Sequence, residues 1–324
     1  MNNLKTKKLL IFGTGAVGGY YGGMLVKAGF DITFIARGKN LEALKNNGLT
    51  LIINGKKENF PINVLETLHA TSLKKTFDYI FICVKSMDTK DAALKIKNNV
   101  GYHTNVLSFQ NGVDNEEIIG EVIGIDKVIG SSVYVTSKQV APGVIDQFGY
   151  NAVMFGELDK SESKRVSELK SILESSGIVC VLSKDILGDL WNKLVWNASF
   201  NPVSVLTEKT VDKMLSDKET FELIKNIMLE VKNVALAHGI GIRPDTVEFN
   251  INRSKNITPN ATLSQDFKGF KTSMLQDFER GKPIELEEIV GVVIRKAKEK
   301  NVSVPNIFNV YTRLKEKVKN QIAI

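Results

Sequence analysis

Gly13-Thr14-Gly15-Ala16-Val17-Gly18 constrains the fold more than any other stretch of this chain. The glycines follow an apolar run, Lys8–Phe12, and open a helical pattern, Ala16–Lys27. In that setting each glycine has a use. The first permits a tight turn, the second lets the backbone approach a pyrophosphate, and the third lets helix and strand pack closely. The helix start offers free N–H groups and a positive dipole end to phosphates. A turn serving packing alone does not account for three glycines at these offsets.

The pattern around the loop predicts an α/β domain. Strands are expected at Lys8–Phe12, Ile32–Ala36, Leu49–Ile53, Phe60–Val64, Tyr79–Val84 and Asn105–Phe109, with helices at Asn40–Asn47 and Thr89–Lys97. Runs apolar on both faces and separated by helices mark a parallel sheet covered on both sides. Val128–Phe155 reads as β-rich, with turns at Pro142-Gly143 and Gly149, before a helix at Ser163–Ser175 and a strand at Ile178–Leu182. Beyond Ser183 only helical spacing is convincing, at Asp185–Phe200, Lys218–His238, Leu263–Arg280 and Glu285–Lys300. The expectation is a doubly wound, Rossmann-type domain over residues 1–182 and an all-α substrate and catalytic domain over 183–324.

Composition closes off other classes. In 324 residues there are 43 Lys+Arg against 36 Asp+Glu, a formal charge of +7, which invites a nucleic-acid reading. The basic residues are interleaved with acids, however, as from Glu157 to Lys170, and the surplus equally suits anionic small ligands. Two cysteines rule out a disulfide framework, and with three histidines a structural zinc site is hard to assemble. No metal is expected. Lys5, Lys7 and Lys8 before Leu9–Phe12 imitate a signal peptide, but glycines interrupt the apolar run. No window approaches the ~18 apolar residues of a membrane span. A cytoplasmic protein with no nucleic-acid or membrane partner is expected, and a homodimer is the one protein assembly to consider.

Cofactor choice turns on the second strand. An NAD site places Asp or Glu ~20 residues past the glycines to bind the ribose 2′-hydroxyl. Here the strand ends Ile35-Ala36-Arg37-Gly38, with no acid until Glu42. Arg37 can instead pair with a 2′-phosphate, so NADPH/NADP+ is expected. Lys85 follows the Tyr79–Val84 strand and Asn111 the Asn105–Phe109 strand, both where ligands of doubly wound folds bind. A surface lysine and a turn pair are the plain alternatives. Cys83 and Cys180 lie in apolar strands and are assigned no chemistry.

In the helical half, Lys193 and Asn197 share a face, and Asn201-Pro202 reads as an N-cap before a new helix. A lysine on such a face can hydrogen-bond a carbonyl and give it a proton. Ser273 and Asp277 share a second polar face, and Glu285 is expected in a first helical turn.

The order of the pieces resembles the ketopantoate reductase family (2-dehydropantoate 2-reductase). GxGAxG comes first, Arg-Gly follows the second strand, then VK, QNG, WxKLxxNxxxNP, and SMLQD with a Glu twelve residues past its Ser. The likeness spans Leu9 to about Pro305. It implies NADPH and a 2-oxo acid held between a Rossmann domain and an all-α domain. It also implies reduction of 2-dehydropantoate to (R)-pantoate, toward pantothenate and coenzyme A. By motif, Gly13, Thr14, Gly15, Ala16, Val17, Gly18, Arg37, Lys85 and Asn111 would contact NADPH. Lys193 would donate the proton, Asn197, Asn201 and Ser273 would bind substrate, and Glu285 would meet the substrate hydroxyl or the nicotinamide end. One departure stands out: the family's further substrate-contacting Asn is missing around Thr207 to Asp212, where Thr210 is the nearest stand-in. The alternatives are another 2-oxo acid, a dehydrogenase of related architecture, and a non-catalytic NADPH sensor.

Overall fold

A computed structural model describes residues 4–68, 76–255 and 268–322. β1 (Lys8–Phe12) is apolar from Leu9 to Phe12 because its two faces enter different cores. Leu9 and Ile11 pack into one core, Leu10 and Phe12 into the other. α1 (Ala16–Lys27), β2 (Asp31–Ile35), α2 (Gly38–Asn47) and β3 (Leu49–Ile53) follow. Next come β4 (Lys56–Phe60), β5 (Asn63–Leu65), β6 (Tyr79–Ile82), α3 (Thr89–Ile96) and β7 (Asn105–Ser108). α4 (Asn115–Ile123), β8 (Val128–Ala141), β9 (Val144–Gly156), α5 (Lys164–Ser175) and β10 (Val179–Leu182) complete this half.

The strands form one sheet in the order β4-β3-β9-β8-β7-β6-β1-β2-β5, with β10 beside β9. β1 pairs in parallel with β2 on one side and β6 on the other. Tyr20 and Leu25 of α1, Leu44 of α2 and Leu169 of α5 fill the first core. Ala93 and Ile96 of α3 and Ile119 of α4 fill the second. Helices thus cover both faces, the expected Rossmann-type arrangement. The chain leaves β1 toward β2 and returns to β6 on the opposite side, so the crevice of this fold opens past the carboxyl ends of β1 and β6.

Two β expectations need correction. Phe60–Val64 is not a strand: Phe60 ends β4, Asn63 starts β5, and Pro61 lies between them. Proline has no N–H for a ladder and restricts its predecessor, so one run becomes two strands at different places in the sheet. β4 pairs antiparallel with β3, whereas β5 lies parallel to β2. Gly149 is not a turn either. It sits inside β9 at φ +89°, where the register against β8 jumps between Val135 and Ser137, a bulge that its conformation permits. The turn at Pro142-Gly143 stands as expected between β8 and β9.

The second half is helical: α6 (Ile186–Thr207), α7 (Val211–Ser216), α8 (Lys218–Ala237), α9 (Thr246–Ser254), α10 (Ser273–Glu279), α11 (Val292–Glu299) and α12 (Pro305–Ile322). A π-turn, Glu287–Gly291, leads into α11. Of the expected helix Leu263–Arg280, residues 263–267 lie outside the described residues, and helix is observed only from Ser273 to Glu279. Asn201 is not an N-cap, because α6 runs through Pro202 without ending. A proline inside a helix costs about 3 kcal/mol. Each of Phe200, Val203 and Val205 is fully buried, and each such burial contributes roughly 1.5–3 kcal/mol, so packing outweighs the lost bond.

The chain divides into two compact units. The first runs through Gln110 and from Asp114 to Ile186; the second comprises Asn111–Val113 and the chain from Leu187 onward. No helix of the described residues is long and apolar enough to cross a membrane.

Candidate active site

The three glycines of the loop are held for different reasons. Gly13 has φ +104°, and a Cβ there would come within 2.7 Å of the Val84 side chain just past β6. At Gly18 a Cβ would overlap the Gly13 carbonyl oxygen and press on Cys83 and Ile11. Gly15 is different: its backbone is extended, at φ −87°, and a Cβ would meet nothing within 4 Å. The fold does not need a glycine there, so the open space suits something brought from outside. The first turn of α1 also carries no acid to repel a phosphate.

The loop is tied down from behind. Thr14 donates its hydroxyl to the Ile35 carbonyl at 2.9 Å and is buried, leaving its backbone as the part that faces a ligand. Asn40 was not singled out by sequence. Its Nδ2 donates to the Thr14 carbonyl at 2.7 Å, and its Oδ1 accepts from Gln139 at 2.6 Å and from the Gly143 N–H at 2.8 Å. One amide thus links the loop, α2 and the β8–β9 turn.

These geometries separate packing from binding. Gly18→Ala should lower stability by about 1–3 kcal/mol through overpacking. Gly15→Ala should leave stability within about 1 kcal/mol yet weaken dinucleotide binding about tenfold or more, through loss of close phosphate contacts. Urea unfolding and a dinucleotide titration on both variants check this. Unchanged affinity in Gly15→Ala would show that the open space is not used.

Arg37 is the N-cap residue of α2, its side chain 71% exposed, with Nη2 at 3.4 Å from the Asp88 carboxylate. Lys85 is exposed and precedes the short turn Ser86–Asp88 after β6. Ala16, Val17 and Gly18 open α1. Burial pushes the Cys83 thiol well up and that of Cys180 up to about 11, away from the thiolate form.

In the helical unit, Lys193, Asn197 and Asn201 recur every four residues along α6, so they line one face. Lys193 is half-buried. Lost hydration pulls its ammonium down to about 8 and the Arg253 guanidinium adds to the fall, while the Glu285 carboxylate pulls the other way. Glu285 is 6% exposed and accepts a hydrogen bond from Asn111 Nδ2 at 3.3 Å. It does not lie in a first turn. It lies just before the first helical residue, Leu286, its carbonyl accepting from the Ile289 N–H as the π-turn begins. Turns of this kind recur beside functional groups.

Asn197 is 7% exposed and Asn201 1%. Asn201 Oδ1 accepts no hydrogen bond from the described residues. A buried acceptor costs about 1–3 kcal/mol when left unmet, which suits a ligand that donates to it. The Asn201 carbonyl accepts from Ser204 Oγ at 2.7 Å, and Ser204 Oγ lies 2.6 Å from Thr272 Oγ1. Thr272 caps α10, so this hydroxyl pair fixes the start of the helix on which Ser273, exposed, is the first residue. Thr210 is the N-cap residue of α7, and its hydroxyl helps hold the Asp212 carboxyl below the usual range.

The fold thus presents a dinucleotide-type glycine loop in one unit and a half-buried, titratable lysine in the helical one. The family model for ketopantoate reductase PanE/ApbA matches residues 9–160, and that for its C-terminal part matches residues 185–318. A 2-dehydropantoate 2-reductase of Mesorhizobium japonicum is 33% identical over 88% of this chain and 90% of its own. One from Pyrococcus horikoshii is 31% identical over 96% and 97%. The crystal structure of a PanE/ApbA family ketopantoate reductase from Ralstonia eutropha superposes with a TM-score of 0.85 at 28% identity, covering 97% of this chain and 99% of that one. The chain belongs to the ketopantoate reductase family.

Proposed function

We propose that this protein is a cytoplasmic NADPH-dependent reductase of 2-dehydropantoate, forming (R)-pantoate on the way to pantothenate and coenzyme A. The observation that carries the proposal is Lys193, a half-buried ammonium brought down to about 8 beside Glu285. At neutral pH it still holds its proton and parts with it more readily than an exposed lysine does. The names of the relatives, both 2-dehydropantoate 2-reductases, support the substrate.

The residues fit a dinucleotide. The open face of Gly15 and the backbone of Gly13, Thr14, Ala16, Val17 and Gly18 would hold a pyrophosphate. Arg37 would hold a 2′-phosphate, with Lys85 and Asn111 as further contacts in a domain spanning residues 1–182. NADPH, when bound, supplies the hydride that reaches C2 of the oxo acid. Within residues 183–324, Lys193 binds the keto oxygen and gives it a proton as negative charge builds there. Asn197, Asn201 and Ser273 bind the acid, the unmet Asn201 oxygen accepting from its hydroxyl. Glu285, held by Asn111, orients the lysine and the substrate.

An assay of NADPH oxidation against a panel of 2-oxo acids tests the proposal. The fastest kcat/KM is expected with 2-dehydropantoate. A larger value with another member would reassign the substrate, and no oxidation with any of them would remove the activity.

A further inference from the structure

The turn between β1 and α1 has few peptide groups, and most of them are committed within the fold. The N–H groups of Gly13 and Thr14 both donate to the Ile35 carbonyl, at 3.2 and 3.1 Å, and the Thr14 hydroxyl joins them there at 2.9 Å. The Gly15 carbonyl accepts from the Gly19 N–H at 2.8 Å as α1 begins. The peptide between Thr14 and Gly15 is left. Across a trans peptide the carbonyl and the N–H point in opposite directions, so whatever holds the Thr14 carbonyl also aims the Gly15 N–H.

That peptide needs holding. Gly15 stands at φ −87° with nothing near the place of a Cβ. Glycine takes positive φ about as readily as negative, so turning the peptide over costs the residue itself little. The turned-over form would put a carbonyl oxygen where the Gly15 N–H now stands, and a phosphate is bound by the N–H and repelled by the oxygen. Asn40 selects between the two forms. Its Nδ2 donates to the Thr14 carbonyl at 2.7 Å. Its amide is fixed end for end, because Oδ1 accepts from a backbone donor, the Gly143 N–H, at 2.8 Å, and from Gln139 Nε2 at 2.6 Å. The β8–β9 turn thus orients the amide, and the amide orients the peptide.

We propose that Asn40 is a positioning residue for the dinucleotide pyrophosphate, holding the Thr14–Gly15 peptide with its N–H turned away from α2 and toward the phosphates. The proposal rests on the reading of this loop as a dinucleotide site. It gives Asn40 a different task from Arg37, three residues earlier at the start of α2. Arg37 would hold the 2′-phosphate that NADPH alone carries, whereas Asn40 serves the pyrophosphate that NADPH and NADH share.

Asn40→Leu and Asn40→Asp test it. The leucine loses all three bonds and adds no charge, whereas the aspartate still accepts from Gln139 and Gly143 but donates nothing to Thr14. Asn40→Leu should weaken NADPH and NADH by the same factor, about 3–10-fold, the range of one hydrogen bond, so the preference for NADPH stays. Asn40→Asp should weaken both at least as much, and its loss should persist at high salt, since a missing hydrogen bond is not screened. Adenosine 2′-phosphate, which carries the partner of Arg37 and no pyrophosphate, should bind Asn40→Leu as it binds the wild type. Titrations of the three ligands, with urea midpoints alongside, read this out. A residue that only braced the β8–β9 turn would lower the midpoint of Asn40→Leu and leave the dinucleotide affinities as they were, which would overturn the proposal. An equal loss for adenosine 2′-phosphate, the mark of a displaced α2, would overturn it too. So would a loss confined to Asn40→Asp and erased by salt, the mark of an added charge. A wild-type protein that binds neither dinucleotide would instead remove the reading of the loop itself.

Discussion

Lys193→Ala should lower kcat for 2-oxo acid reduction by about 10²–10⁴ while the fold and the NADPH affinity survive. That is the range for losing one general acid or oxyanion donor. Hydride arriving at C2 leaves negative charge on the former carbonyl oxygen, and a proton or a fixed cation must meet it. Lys193 supplies both, from the α6 face it shares with Asn197 and Asn201. The pH dependence follows from its ammonium lying at about 8. The active form is the protonated one, so activity is full below that value and falls as pH rises through it. Lys193→Arg separates charge from proton: the guanidinium keeps the positive charge but does not give up a proton. The alkaline limb should vanish in both variants, and the Arg enzyme should recover only the electrostatic share. A Lys193→Ala enzyme that kept more than about a tenth of kcat, with chemistry shown to be rate-limiting, would take the lysine out of the reaction.

Much of this was legible because local patterns answer to local physics. The four apolar residues after Lys8 run into three spaced glycines, and that spells out a buried parallel strand and its loop. α12, absent from the expected helices, is equally legible: Pro305 opens it, and the buried Ile307, Val310 and Leu314 recur at helical spacing. Asn201-Pro202 misled because a proline argues locally for a helix start, and only the burial of its neighbours tells otherwise. α9 hides for another reason. Its apolar stripe is only Val247 and Ile251, and Asn250 and Ser254 complete the buried face as polar rungs against α6, so the mark in sequence is faint. Asn40 belongs to the same class, its three partners lying on segments remote in sequence. Hydrogen bonds between distant segments leave no periodic trace.

Arg37→Ala should abolish most of the preference for NADPH over NADH, raising the NADPH Kd about 10–100-fold and leaving NADH within a few fold. β2 ends at Ile35, and Ala36-Arg37 follow where an NAD enzyme carries an acid for the ribose hydroxyl. Arg37 does have a neighbour, Asp88, but at 3.4 Å with side chains 71% and 42% exposed. Such a surface pair holds weakly and is screened by salt. A phosphate that offers several oxygens to the guanidinium fork therefore outcompetes it. Asp88 also repels the same phosphate, so Asp88→Asn should tighten NADPH a few fold and leave NADH unchanged. Raising the ionic strength should narrow the wild-type preference and barely alter that of Arg37→Ala. Equal weakening of both dinucleotides in Arg37→Ala would show that the residue supports the start of α2 and not the phosphate. The affinity for NADH therefore decides between the two roles, since only a structural arginine would lower it.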